Sequence, residues 1–291
     1  MKAKILFFII FFSFGIFAAN SKRPTVTNSN FINGVTIDSV ENITAVVKSL
    51  KSLSIKPTTR IVFDEDEEAF TYKAAVKKIH EVSFIMGEIL DSFYVKNIST
   101  EDYVARTTQY LSTLDNDVDI WEIGNEINGE WLGDTPTVVA KMNSAYKVVK
   151  NKGKAAALTL YYNEGCWENK SNEMFRWAEK NISSEMKQSL DYVFISYYED
   201  DCNDRQPDWE QVFQKLGKMF PSSKIGFGEI GTKHAERKKS YINRYYNMKI
   251  SHPRFVGGYF WWYFSQDMVP STKPLLKTLD EAMLSRKKSM K

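Results

Sequence analysis

The sequence predicts a single-domain α/β protein, a (β/α)8 TIM barrel, and three observations carry that expectation. Short β-branched or aromatic runs alternate with amphipathic stretches eight times along the chain. No Pro/Gly-rich linker, low-complexity tract or composition shift divides it after the N-terminal segment. The 291 residues suit one such barrel, which typically needs about 250.

Taken in order, strand-like runs occur at Gly34–Asp38, Arg60–Asp64, Phe84–Ile89, Asp119–Gly124, Ala156–Tyr162, Tyr192–Tyr197, Lys224–Gly228 and Gly258–Tyr263. Helical patterns lie between them, at Val40–Leu53, Glu67–Val82, Glu101–Leu114, Thr137–Lys150, Asn172–Leu190, Trp209–Phe220, Ala235–Met248 and Leu275–Arg286. Ser99-Thr100-Glu101-Asp102 supplies a cap with early acids, and Pro207-Asp208 opens the sixth helix. In the second, Phe70, Ala74, Val76, Ile79 and Val82 form the expected buried stripe. Strict strand–helix alternation implies parallel strands with helical crossovers. An open doubly wound sheet alternates too, but eight units in about 250 residues fit the closed barrel, which removes both sheet edges. Chemistry then belongs at the C-terminal ends of the strands.

The N-terminus reads as an export signal. Lys2 and Lys4 precede the apolar run Ile5–Ala19, which ends in the small residues Ala18 and Ala19. A membrane-spanning helix wants about 20 apolar residues, so an uncleaved anchor is the lesser reading. The expected organisation is a signal peptide at residues 1–19 and a catalytic barrel at 20–291, secreted or periplasmic. Removing 19 of 291 residues leaves 272, and losing two lysines takes the formal charge from +3 to +1. With no basic face, nucleic-acid binding is not expected. Three scattered histidines, His80, His234 and His252, offer no metal site, and no cofactor motif stands out. Asp64-Glu65-Asp66-Glu67-Glu68 reads as a solvated loop and helix start rather than a metal site. Sequons stand at Asn42, Asn97 and Asn181.

Two motifs end strands. Trp121-Glu122-Ile123-Gly124-Asn125-Glu126 closes the fourth run, and Ile225-Gly226-Phe227-Gly228-Glu229-Ile230-Gly231 closes the seventh. These residues, with the strand order around them, resemble the large clan of (β/α)8 glycoside hydrolases whose Asn-Glu dipeptide ends strand four and whose nucleophilic Glu ends strand seven. The resemblance spans the whole mature chain in strand order, although short segments carry its motifs. It implies a retaining hydrolase of β-glycosidic bonds, with Glu126 as acid/base, Glu229 as nucleophile and Asn125 on the substrate 2-hydroxyl. Retention requires the two carboxyls about 5–5.5 Å apart across the anomeric carbon.

The resemblance implies supporting residues as well. Arg60 opens strand two, where related enzymes carry an Arg beside the nucleophile. Tyr197 or Tyr198 fits the strand-six Tyr that contacts the nucleophile, and Trp261 or Trp262 fits the strand-eight Trp beneath the central sugar. Alternation lets only one of each pair face inward; Tyr197 and Trp262 are favoured. Trp131 and Tyr162 are further substrate-binding candidates, with Tyr161, Asn163 and Trp167 nearby. Glu88 and Asp91, ending strand three, are either sugar contacts or solvated loop acids. Cys166 and Cys202 fall in loops after neighbouring strands and are expected to form a disulfide in an oxidising compartment. The expected partner is a carbohydrate substrate, with no stable membrane insertion once the signal is removed and a monomer as the working unit.

Three rival readings fit the residues less well. Gly226–Gly231 satisfies G-x-G-x-x-G, but a glutamate inside a phosphate loop would repel the pyrophosphate. Asp117-Val118-Asp119-Ile120-Trp121-Glu122 approaches the D-x-D-x-E pattern of substrate-assisted chitinases, one residue out of phase. A barrel that binds carbohydrate without catalysis would not need both glutamates.

Overall fold

The structure, a computed structural model, describes residues 31–289; the expected signal peptide, and the domain boundary drawn after it, lie outside them. Eight parallel strands close in chain order: β1 (Ile32–Ile37), β2 (Thr58–Val62), β3 (Phe84–Glu88), β4 (Ile120–Glu122), β5 (Ala155–Tyr161), β6 (Tyr192–Tyr197), β7 (Lys224–Ile230) and β8 (Phe255–Trp261). β8 returns to pair with β1, completing the (β/α)8 barrel that the alternation predicts. Around it stand α1 (Ile43–Lys51), α2 (Ala69–His80), α3 (Thr100–Leu114), α4 (Thr135–Asn151), α5 (Met174–Asn181), α6 (Ser184–Ser189), α7 (Trp209–Met219), α8 (Ala235–Tyr246), α9 (Phe264–Met268) and α10 (Pro274–Ser289). Among the described residues no helix is long and apolar enough to cross a membrane.

Local chemistry sets the helix ends. Ser99 accepts from the Asp102 amide at 3.0 Å and starts α3; Asp208 does the same for Gln211 at 3.1 Å and starts α7. The stretch expected as one helix over Asn172–Leu190 is two. Ile182 is extended, and Ser183 caps a new start by accepting from the Met186 amide at 3.2 Å. The buried stripe of α2 is Ala69, Tyr72, Ala75, Val76 and Ile79, which leaves Phe70 and Ala74 on the outside, contrary to expectation. The short α9 has no counterpart in the sequence reading. The Trp261 indole N–H, donating to Asp267 at 2.9 Å, ties it to the barrel.

Alternation along each strand divides the core in two. Outward side chains pack under the helices, and inward ones fill the barrel. Met86, Ile120, Ala157, Phe194 and Phe260 belong to the inner apolar layer, where the rings of Phe194 and Phe260 meet edge to face at 5.7 Å. Glycines make room for these rings. A Cβ on Gly34 would sit 2.5 Å from the Phe260 ring, and one on Gly226 would sit 2.4 Å from the Gly257 carbonyl oxygen. The G-x-G-x-x-G pattern is thus close strand packing inside a sheet, not a phosphate loop. One residue pair further up the strands, the apolar layer gives way to Arg60, Glu88, Glu122, Thr159 and Ser196, all buried.

Candidate active site

Arg60 organises the polar layer. Its guanidinium reaches side chains from three other strands: Nε meets Glu122 Oε2 at 2.7 Å, Nη1 meets Glu229 Oε2 at 2.7 Å, and Nη2 meets Glu88 Oε2 at 2.9 Å. Thr159 also donates to Glu122, and the Tyr198 hydroxyl donates to Glu229 at 2.6 Å. Burial and the charge of Glu229 push the Tyr198 hydroxyl well above its ordinary range, so it stays a donor.

Backbone irregularity brings both motif glutamates into this setting. In β7 the inward Gly226 and Gly228 would, by strict alternation, send Glu229 outward. The β6–β7 register slips there: Ile195 pairs with Phe227, and Ser196 pairs with Glu229. The bulged Gly228 resets the phase, and its missing Cβ would lie 2.7 Å from Phe194 Cβ. Glu126 lies four residues past the end of β4 in the left-handed region, at φ 48°, costly for a residue with a Cβ. Two hydroxyls hold it: Ser92 donates to Oε2 at 2.8 Å and Ser196 donates to Oε1 at 2.6 Å.

Both carboxyls are pushed above the ordinary range, chiefly by burial. Burial drives Glu126 up to about 7; it raises Glu229 too, where the charge of Glu126 adds to the rise while the Arg60 guanidinium and the Tyr198 hydroxyl act against it. Their hydrogen-bond partners set the two apart. A guanidinium can only donate, so Glu229 beside Arg60 is the better anion. Serine hydroxyls can turn to accept, so Glu126 is the better acid.

Both glutamates line one cavity of about 420 Å³. Trp131 and Tyr161 form one wall, their rings edge to face at 5.2 Å. The Trp131 indole N–H donates to Ser92 at 3.0 Å, and Asn128 pins the Tyr161 backbone by accepting from its amide at 2.7 Å. Tyr198, Trp262 and Tyr263 line the cavity from β6 and β8, and Asp200, Asp201 and Lys233 complete the rim. The Trp262 ring lies 5.7 Å from the Arg60 guanidinium carbon.

Several expected positions are corrected. Tyr197 faces the helices: its ring packs on Tyr162 and Trp209, and its hydroxyl donates to the Arg205 carbonyl. Inward positions on β6 are Tyr192, Phe194 and Ser196, so Tyr198 is next in phase. Tyr162 also points outward, with its hydroxyl donating to Glu164 at 2.6 Å; Tyr161 takes the cavity position in its place. Glu88 is neither a sugar contact nor a loop acid but is sealed inside the barrel on Arg60. Asp91 caps the turn after β3 by accepting from the Phe93 amide at 2.8 Å. Asn125 is buried beside Glu126, and its side-chain oxygen has no hydrogen-bond partner among the described residues. Cys166 and Cys202 form the expected disulfide, with Cα atoms 5.2 Å apart, joining the loops after β5 and β6.

Sequence reasoning missed Ser92, Ser196 and Thr159, and placed no weight on Glu122 as a site residue. Phase was the available signal for Glu122 and Thr159, since both sit two residues above inward apolar positions. Away from the cavity, Asp64, Glu65 and Asp66 bring carboxylate oxygens within 4.8 Å of one another on a solvent-facing loop. Arg106 holds that loop through its carbonyls, including Asp64 at 2.6 Å.

No family model matches the chain, and no curated protein matches it either. Solved structures do. Saccharomyces cerevisiae Gas2p in complex with laminaritriose and laminaritetraose superposes with a TM-score of 0.57 at 13% identity, over 89% of this chain and 67% of that one. The same yeast protein with laminaripentaose gives 0.57, 13%, 89% and 67%. Its complex with a ligand named compound 8 gives 0.57, 14%, 89% and 67%. At such identity the likeness is one of fold, and it places this chain among (β/α)8 barrels.

Proposed function

We propose that the chain is an exported retaining glycoside hydrolase acting on a β-glucan, with Glu126 as acid/base and Glu229 as nucleophile. One observation carries this reading: two buried glutamates from opposite sides of the barrel share a cavity and have donor sets suited to opposite tasks. In the first step a Glu229 oxygen attacks the anomeric carbon while Glu126 gives its proton to the departing oxygen. In the second, Glu126 takes a proton from water, whose oxygen attacks the same carbon and releases Glu229. Arg60 and Tyr198 hold Glu229 as the anion that forms and leaves the covalent bond. Asn125, with its unpartnered oxygen, is suited to accept from the sugar 2-hydroxyl. Trp262 and the Trp131–Tyr161 wall supply ring faces for neighbouring sugars.

The laminari-oligosaccharides in the Gas2p complexes support the substrate class, together with a cleft whose rim carries more acids than bases and so disfavours acidic polysaccharides. The 1–19 signal pattern supports export, and the Cys166–Cys202 bond fits an oxidising destination.

The test is hydrolysis of aryl β-glucosides and laminari-oligosaccharides by the purified mature protein, with the product anomer followed by NMR. Retention, and loss of turnover in Glu229→Gln, are expected. Inversion, or full activity in that variant, would refute the assignment. Binding of the oligosaccharides with no turnover would favour a non-catalytic carbohydrate-binding barrel.

A further inference from the structure

Three carboxyls share one guanidinium inside the barrel, and their hydrogen bonding is unequal. Glu122 accepts from Arg60 Nε and Thr159, and Glu229 accepts from Arg60 Nη1 and Tyr198. Glu88 has only the 2.9 Å approach of its Oε2 to Nη2, out of line for a hydrogen bond. Neither Glu88 oxygen has a hydrogen-bond partner among the described residues. The Glu88 and Arg60 side chains are 0% exposed, so bulk solvent does not reach them.

Titratable groups face Glu88 from every side. Arg60 faces it from β2, Glu122 from β4, Glu229 from β7, Asp91 from the turn after β3, and the Tyr103 hydroxyl from α3. Arg60 alone favours ionisation; Glu122, Asp91 and Glu229 oppose it, as does burial, which pushes the carboxyl well above the ordinary range. A single cation cannot offset three buried anions, and the carboxyl with the poorest contacts is the one that keeps its proton.

We infer that Glu88 is a neutral carboxylic acid in the working enzyme and acts as a positioning residue, bracing the Nη2 edge of Arg60 without drawing on the charge that Arg60 presents to Glu229. The inference rests on the proposed role of Glu229 for its kinetic consequence, while the proton on Glu88 is a property of the folded protein alone. Shape and neutrality are both required. A second anion here would compete for Arg60, and an empty space would let the guanidinium tilt away from the reacting carboxylate.

Two variants and two readouts test it. Glu88→Gln copies the shape and neutrality of the protonated acid. Its kcat/KM on an aryl β-glucoside should stay within about twofold of the parent, with both limbs of the pH profile in place. Glu88→Ala should lose about ten- to a hundredfold in kcat through misplacement of Arg60, and its acid limb should move to higher pH. Restoration of both by Gln separates positioning from general damage. If Glu88 is instead ionised, Glu88→Gln removes a nearby like charge and moves the acid limb down by about one unit or more, which overturns the inference. So does an Ala variant that matches the parent in rate and profile. Infrared difference spectra of parent against Glu88→Gln, taken at the pH of maximal activity or, without turnover, at about pH 7, should show a protonated carboxyl band belonging to Glu88, because the other carboxyls are common to both proteins and cancel. Its absence overturns the inference even if no substrate is ever turned over, and its presence stands even if Glu88→Ala does not fold.

Discussion

Replacing Glu126 with Gln should make the protein harder to melt at neutral pH while disabling it as an acid. Burial raises the Glu126 carboxyl from 4.5 to about 7, so the folded state holds this proton more tightly than the unfolded chain does. The stabilisation is complete below about pH 4.5 and is lost as pH rises through about 7. At about 1.4 kcal/mol per unit, the loss amounts to about 3 kcal/mol at most. The charge of Glu126 also acts on Glu229, so part of the loss is felt at the neighbour. Gln keeps the shape, offers the same two serines partners and never ionises. In a chain of this size about 1 kcal/mol moves the midpoint by roughly 2–4 °C. Glu126→Gln should therefore melt roughly 5 °C or more above the parent at pH 7.5 and level with it at pH 4. Calorimetric scans across that range are the assay. A variant that melts below the parent at pH 7.5, or a gap that does not change with pH, would refute the idea that Glu126 is a strained, proton-holding carboxyl.

Other outcomes follow from the same geometry. Tyr198→Phe removes a hydroxyl donor from Glu229 and should lower kcat by about ten- to a hundredfold, since hydrogen bonds to charged groups contribute about 1.5–3 kcal/mol; Tyr197→Phe, facing the helices, should leave kcat alone. Glu126→Ala should spare aryl glycosides with good leaving groups more than those with poor ones, and parent kcat/KM should fall above about pH 7 as Glu126 loses its proton; equal losses, or a flat profile, would contradict the acid role. Replacing both Cys166 and Cys202 with Ser opens a loop of 36 residues and should cost about 3–4 kcal/mol on the chain-entropy account, read as a lower denaturation midpoint that reductant reproduces in the parent.

The barrel was legible because short β-branched or aromatic runs and amphipathic stretches alternate eight times, and every predicted strand overlaps an observed one. Side-chain direction was less legible, because alternation fixes relative phase and an anchor is needed to fix the absolute one. On β6, Tyr192 and Phe194 are as apolar as the outward Val193 and Ile195, so nothing in the letters marked Tyr198 as inward rather than Tyr197. Tyr161 and Tyr162 posed the same choice, with the same result. The bulge at Gly228 is a harder case, since it changes phase within a strand, and its signal is a glycine whose need becomes visible only against Phe194 and Thr159. Ser92 and Ser196 look like ordinary polar filler until Glu126 is placed between them. Glu88 and Glu122 read as loop or strand-end acids because burial of a carboxylate is costly, and the cation that relieves it lies far away in sequence on β2.

Arg60 joins residues of β2, β3, β4 and β7, half the staves of the barrel, through one side chain. A site assembled from surface loops can lose its geometry while the rest of a protein stays folded. Here Glu229 is fastened to the wall of the barrel itself, and no one of those four strands can shift without withdrawing a partner from the guanidinium. Activity and global structure should therefore fade at the same denaturant concentration, making residual turnover a direct gauge of how much of the barrel is still closed.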